Sequence, residues 1–173
     1  RGHDSRYKEQ CALVTSVVII GGGPGGYEAA LVAAQLGAQV TLIDACGIGG
    51  SAVLTDCVPS KTLIATADVV TMASEAGDLG VRINGQAPTP GVVHIDMGLV
   101  NQRVKKLAAA QSQDIEGSLR AAGVTLIHGR ARVIKRNRVS VNGDEYDADV
   151  ILLATGARPR VVPGAEPDGE RIV

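Results

Sequence analysis

The sequence predicts an α/β fold built on a parallel sheet, and three observations carry that prediction. Two short, continuously apolar runs at 17–20 and 40–43 have the composition of strands buried on both faces. A glycine cluster and an Ala- and Leu-rich stretch separate them, so the order is strand, glycine turn, helix, strand. After Gly123 the pattern changes from helical to strand-like, which predicts that the sheet resumes near the end of the chain.

The helices are predicted from their start and stop residues. The first is expected over 27–36, because Ala and Leu dominate it and Gly37 follows. Pro59 suits a first helical turn, so a second helix is expected over 60–76. Asp96 is a candidate N-cap for a long helix that runs to about residue 122. Glycines and prolines between these two helices indicate a loop over 77–93.

The last third of the chain reads as short strands. Candidates lie at 124–127, 131–135, 138–141 and 150–153, and Asn142-Gly143 is a strong hairpin turn signal. We therefore expect an α/β domain of two or three layers. It contains a parallel sheet and a small antiparallel excursion near residues 131–147.

Composition excludes several classes of function. With a net charge of -1 and no Trp or Phe, the chain offers neither a basic surface nor a stacking platform for nucleic acid. No apolar run approaches membrane-spanning length. Three scattered cysteines, Cys11, Cys46 and Cys57, favour a reducing compartment, which we take to be the cytoplasm. The polar residues 1–13 are interpreted as a disordered tail.

The glycine cluster is the first motif that carries chemistry. Gly21, Gly23 and Gly26 have the spacing of a dinucleotide-binding fingerprint, in which glycine permits a tight turn, a close diphosphate approach and close helix packing. Asp44 ends the next strand and can accept hydrogen bonds from a ribose. A purely structural glycine turn is the alternative. The motif predicts a Rossmann-like dinucleotide site but does not separate FAD from NAD.

A cysteine near a helix start is the second motif. Cys57 stands two residues before Pro59, beside the positive end of the expected helix, where a thiolate is stabilised. Lys61 adds positive charge one turn further on. The alternative is an inert buried cysteine beside an exposed lysine. His94 and His128 are interpreted as structural, because neither has a carboxylate partner at a readable spacing.

Residues 49–61, GGSAVLTDCVPSK, resemble the redox segment of the pyridine nucleotide-disulfide oxidoreductases. The family pattern is Gly-Gly-Thr-Cys, four residues, then Cys-[Ile/Val]-Pro-Ser-Lys. The resemblance extends over about 14–160 and includes Gly-x-Gly-Pro-x-Gly and the closing Ala-Thr-Gly. It implies an incomplete FAD-binding domain at 14–173, the N-terminal portion of a larger homodimeric flavoprotein. NAD(P)H, the co-substrate, is then bound by a domain that this chain lacks.

The resemblance also implies residue roles. Cys57 matches the charge-transfer cysteine beside the flavin, and Lys61 lies near the reactive flavin nitrogen; these two are the expected catalytic residues. No metal ligands are expected. The expected FAD-binding residues are Gly21, Gly23, Pro24, Gly25, Gly26, Asp44, Gly50, Ser51, Lys61, Gly129, Arg130, Ala131, Ala154, Thr155 and Gly156.

One position departs from the family pattern. Ala52 stands where the family has its substrate-facing cysteine, so no disulfide can form within the segment. Cys46 is a weak candidate to replace that thiol. A subset of the family with Ala-Val-Leu at this point acts as NAD(P)H:quinone reductases or diaphorases. The resemblance thus favours hydride transfer to a small acceptor, a quinone or dye. A dihydrolipoyl dehydrogenase and a non-catalytic FAD-binding module are the alternatives.

Overall fold

The computed structural model describes residues 14–88, 94–158 and 160–170. In chain order the elements are β1 (Ser16–Ile20), α1 (Pro24–Gln35), β2 (Gln39–Asp44), α2 (Gly50–Leu54), α3 (Cys57–Glu75), a 3₁₀ turn (Ala76–Leu79), α4 (Met97–Ala121), β3 (Thr125–His128), β4 (Arg132–Lys135), β5 (Arg138–Val141), β6 (Asp144–Asp147) and β7 (Val150–Leu153). The predicted α/β class is confirmed.

Two sheets form the framework. The first has the order β3-β2-β1-β7, and all its pairings are parallel. The second, β4-β5-β6, is antiparallel and corresponds to the predicted excursion near residues 131–147. Because the strands of the first sheet are parallel, their carboxyl ends lie along one edge, and the loops that follow them meet there.

The core has two sides. Ile19 and Leu42 face α1 and α4, where they pack with Ala30 and Leu119. The neighbouring strand residues, Val18, Ile20 and Ile43, point the opposite way and pack with Val139 and Val141 of β5. Alternate strand residues point to opposite faces, so the molecule has three layers: helices, parallel sheet and antiparallel sheet. Both faces of the central strands are covered, which explains why they are continuously apolar.

Helix boundaries differ from the predicted ones at their starts. Helix α1 begins at Pro24 rather than residue 27, because the end of the glycine cluster itself takes helical geometry. Helix α3 begins at Cys57, so Pro59 lies inside the first turn, where its missing N–H removes no helical bond. Cys57 is therefore the first residue of the helix and does not precede it. The short helix α2 was not predicted.

The long helix is close to its prediction. The Asp96 side chain accepts a hydrogen bond from the Leu99 amide at 3.0 Å and caps α4 as expected. Val104 and Ala108 are buried, but Leu107 is half-exposed. In the loop before α4, residues 89–93 lie outside the described part of the chain, as do the expected tail 1–13 and Cys11. Within the described residues, no helix has both the length and the apolarity needed to cross a membrane.

The carboxylate of Asp149 joins the amino-terminal ends of β1 and β7. Its loss should lower the stability of the fold. Oδ2 of Asp149 accepts hydrogen bonds from the Ser16 amide and hydroxyl, both at 2.8 Å. These bonds hold the pKa of Asp149 below its ordinary value of 3.8. A depressed pKa adds stability above the ordinary pKa, and this stability is lost as the pH falls through the folded-state pKa.

We expect Asp149→Asn to lower the thermal midpoint at pH 7. The difference from the wild type should shrink below about pH 4, where the carboxylate of the unfolded chain becomes protonated. Asp144→Asn, at an exposed residue of β6, is the matched control. Thermal melts from pH 2 to pH 7 test this, and a difference that does not change with pH would contradict it.

Candidate functional site

Three backbone segments meet at the carboxyl edge of the parallel sheet. The loop after β1 is fixed to β2 by the Gly21 amide, which donates to the Ile43 carbonyl at 2.8 Å. The loop after β2 is fixed to the first loop by the Gly49 amide, which donates to Gly22 at 2.7 Å. The segment after β7 is fixed through Ala154, whose amide donates to Ile20 at 2.8 Å. Open α/β sheets bind ligands at this edge.

Close packing explains two glycines of the first loop. Gly21 has a φ of +113°, and a Cβ there would overlap the Ala154 carbonyl. A Cβ on Gly26 would overlap the Gly21 carbonyl, because the first turn of α1 rests directly on the end of β1. The structure therefore brings the first loop, α1 and the segment after β7 into backbone contact, as the fingerprint predicts.

Two other glycines have no such packing reason. A Cβ on Gly25 would meet nothing within 4 Å, and one on Gly23 only the Gly50 Cα at 3.9 Å. Within the described residues, the amides of Gly23 and Gly25 have no protein acceptor. Free amides at the positive end of a twelve-residue helix suit an anionic group, and open space beside them suits its close approach. These residues fit the diphosphate of a dinucleotide.

Asp44 joins the two glycine loops. Its Oδ2 accepts from the Gly22 amide at 2.7 Å, and its Oδ1 accepts from the amides of Cys46 and Gly47, both at 2.6 Å. A carboxylate has about four acceptor positions, so three are in use and one remains. The expected contact to a ribose stays a prediction, but sequence reasoning missed that Asp44 also holds the loops together.

The second loop is also fixed from the helical side. The buried Ser112 hydroxyl donates to the Ile48 carbonyl at 2.6 Å, which joins α4 to the loop before α2. Sequence reasoning missed Ser112. The available signal was a serine four residues after Ala108, on the face of α4 that otherwise carries apolar residues. Gly50 then lies against the first loop, since its Cβ would fall 2.7 Å from the Gly23 Cα.

The predicted redox segment forms two helices with a sharp break between them. Ala52 lies in α2, and Cys57 begins α3. The Asp56 amide donates to the Ser51 carbonyl at 2.8 Å and closes the break. Cys57 is a free, exposed thiol, so it is not the buried cysteine of the alternative interpretation. Lys61 lies one turn further along α3 and is exposed.

The other sulfur and cationic candidates lie apart from this segment. Cys46 is exposed in the loop after β2, where its amide contacts Asp44. His94 is exposed and lies before α4, and Arg158 and Arg160 are exposed further along the segment after β7. No cluster of three or more potential metal ligands occurs in the ranges that the structure describes.

The predicted adenine-side segment lies next to Asp44. The Gly129 amide donates to the Asp44 carbonyl at 2.9 Å, and the Asn142 side chain donates to the His128 carbonyl at 2.9 Å. A Cβ on Gly129 would lie 2.5 Å from the Asn142 Oδ1, so the Asn142 side chain would have to shift to admit one. Arg130 and Ala131 follow directly.

A cavity of about 300 Å³ adjoins this segment. Its lining includes Asp44, Ile48, Glu116, Arg120, Leu126 and His128. Thr155 and Gly156 follow β7 and are exposed at the same sheet edge, on the other side of the first loop. The structure thus gathers the predicted cofactor residues along one edge in the order that the strands impose.

Comparison with known proteins agrees with this arrangement. A model of the family described as pyridine nucleotide-disulphide oxidoreductase matches residues 15–172. An NAD(P)H dehydrogenase (quinone) of Mycobacterium tuberculosis is 47% identical over 175 residues, which cover 93% of this chain and 34% of that protein. A dihydrolipoyl dehydrogenase of Chlorobaculum parvum is 35% identical over 170 residues, 95% of this chain and 35% of that protein.

A solved structure shows the same fold. The crystal structure of LpdA from Mycobacterium tuberculosis matches with a TM-score of 0.80 at 47% identity, covering 92% of this chain and 36% of that one. This chain spans about a third of the length of the relatives it matches. The predicted cofactors, FAD with NAD(P)H, are those of the matched family. The chain belongs to the pyridine nucleotide-disulphide oxidoreductase family.

Proposed function

We propose that this chain is the FAD-binding part of an NAD(P)H oxidoreductase that reduces a quinone-like acceptor without an internal disulfide. One observation carries the proposal: α2 presents Ala52 where the family's first redox cysteine stands, while Cys57 is kept as a free, exposed thiol at the start of α3. With one sulfur missing, a dithiol substrate cannot exchange with a disulfide in this segment.

The glycine loops are proposed to hold the cofactor. The amides of Gly23 and Gly25 bind the diphosphate, because they are unpaired and lie at the positive end of α1. The remaining acceptor position of Asp44 takes a ribose hydroxyl. Gly50 and Ser51 close the phosphate side from the second loop. The backbone of residues 129–131 and that of 154–156 line the adenine and flavin ends.

The chemistry follows from what bound FAD supplies, a centre that accepts a hydride from NAD(P)H and passes two electrons on. The nicotinamide loses a hydride, which is equivalent to two electrons and one proton. The quinone gains two electrons and two protons, and the additional proton comes from solvent. Cys57 stays reduced throughout. Cys57 stands in the first turn of α3, and Lys61 carries a positive charge one turn further along the same helix. Both residues tune the electronics of the cofactor.

The proposal includes the setting of the whole enzyme. We place it in the cytoplasm, since Cys46 and Cys57 are exposed free thiols. We also propose a homodimer, as the resemblance implies, and a small-molecule acceptor, which the word quinone in the name of the 47% identical relative supports.

Steady-state assays of the full-length flavoprotein test the proposal. We expect NAD(P)H-dependent reduction of a benzoquinone and no oxidation of dihydrolipoamide above background. The 35% identical relatives named dihydrolipoyl dehydrogenases make that activity the second candidate. Rapid dihydrolipoamide oxidation would therefore overturn the proposal of a quinone reductase without an internal disulfide. A protein that binds FAD but oxidises neither NADH nor NADPH would instead be a binding module.

Replacing the remaining thiol separates its electronic role from a structural one. We expect Cys57→Ser to remove long-wavelength charge-transfer absorbance while the FAD content per chain stays unchanged, because an exposed first-turn residue supports no core packing. Absorbance spectra of the purified protein measure both quantities. Cys46→Ser is the matched control and should leave the band in place. Loss of FAD in the Cys57 variant would contradict this role.

A further inference from the structure

The cavity beside Asp44 is lined by an arginine whose side chain makes no hydrogen bond within the described residues. Arg120 lies in the last turn of α4 and lines this cavity of about 300 Å³. Its nearest charged partner is Glu116, one turn earlier, at 3.7 Å. That distance is too long for a hydrogen bond, and the Arg120 side chain is 64% exposed, so the pair adds little stability. Within the described residues, the guanidinium group donates no hydrogen bond.

The lining of the cavity suits a neutral, flat ligand. Ile48, Leu126 and Ile127 supply apolar surface, and a few polar groups stand at the rim, as in small-molecule sites generally. The lining carries two carboxylates, Asp44 and Glu116, against one guanidinium group, so these groups supply no excess of positive charge for an anion such as a free phosphate.

Its position identifies which part of a dinucleotide can enter. Asp44 forms one wall and also binds the amide of Gly22 in the diphosphate loop. His128 forms another wall and directly precedes Gly129. A ligand whose diphosphate lies on the first loop therefore reaches this cavity with the adjacent nucleoside, not with the flavin.

We propose that Arg120 is a specificity-determining residue whose planar guanidinium stacks on the purine of the bound dinucleotide and closes its pocket. The planar cation of Arg120 lies beside a cavity with apolar surface, and within the described residues its N–H groups donate no hydrogen bond. Arginine planes stack on bases and aromatic rings in this way. This inference depends on the proposed binding of FAD.

Titration of the deflavinated full-length protein tests the inference. For Arg120→Ala we expect the dissociation constants of FAD and ADP to rise about fivefold, and that of FMN, which lacks the purine, to stay unchanged. Arg120→Lys keeps the charge but not the plane, so it should recover less than half of the lost affinity. Arg103→Ala, an exposed arginine on the same helix, is the matched control and should bind all three ligands normally.

The possible results are distinct. Wild-type affinity of Arg120→Ala for FAD and ADP would overturn the inference and leave the proposed function intact. Full recovery in Arg120→Lys would overturn stacking, since charge alone would then suffice. Equal losses for FAD and FMN would also overturn it, because the residue would then act on the whole fold. A wild-type protein that takes up no FAD would refute the proposed function as well.

Discussion

Gly26→Ala is expected to destabilise the protein by about 3 kcal/mol or more and to abolish FAD binding. A Cβ at this position would overlap the Gly21 carbonyl, so either α1 or the end of β1 must move. The obstacle is backbone rather than a flexible side chain. Gly21 is itself fixed by the hydrogen bond that its amide donates to the Ile43 carbonyl. Urea unfolding with and without FAD measures the loss.

The neighbouring glycine is the control for this prediction. A Cβ on Gly25 meets nothing within 4 Å, and alanine is the better helix former. Gly25→Ala should therefore unfold at an equal or higher urea concentration, yet bind FAD more weakly because the methyl group occupies the proposed diphosphate space. Equal stability of the two variants would contradict the packing argument.

Ala52→Cys is expected to create a redox-active disulfide and with it the ability to oxidise dihydrolipoamide. The residue lies in α2, five positions before the free Cys57, at the spacing that the family uses for its cysteine pair. Formation of the disulfide removes two thiols, so the oxidised variant should show one fewer titratable thiol than the wild type. NADH should then reduce this bond through the flavin and restore both thiols.

Thiol titration and lipoamide turnover measure the two outcomes. Ala52→Ser adds a polar atom of similar size without a thiol, and it should change neither quantity. One additional thiol in the oxidised Ala52→Cys variant would mean that the break between α2 and α3 does not bring the two side chains together. In that case the absence of a thiol at Ala52 does not by itself explain why the segment forms no redox-active disulfide.

The predictable parts of the fold were those set by local chemistry. The runs that became β1 and β2 are apolar throughout because helices cover one of their faces and the antiparallel sheet covers the other, so composition alone revealed them. Asp96 indicated the start of α4 for an equally local reason, since its side chain caps the helix. By contrast, α2 has only five residues and depends on Gly49 and Gly50 at positive φ, which tertiary contacts impose.

The candidate site was predictable where glycine or a charged strand end marks it. The first glycine loop and Asp44 could be singled out because the roles predicted for them require particular residue types at particular spacings. Ser112 and Asn142 were missed because their side-chain hydrogen bonds span at least 14 residues of sequence, and no local pattern records such contacts. The position of Arg120 beside the cavity was likewise not visible in the sequence. Their identification needed the strand order and the packing of α4.

The pairing of β1 with β7 has a consequence for biosynthesis. Asp149 and Ser16 bond across 133 residues, and the Ala154 amide completes the end of β1 at Ile20. The first strand is thus made earliest but obtains its second neighbour only after almost the whole described chain has been translated. In a nascent chain stalled before residue 150, β1 lacks this second neighbour and Gly21 lacks its contact with the Ala154 carbonyl, so the first glycine loop completes its packing only late in synthesis.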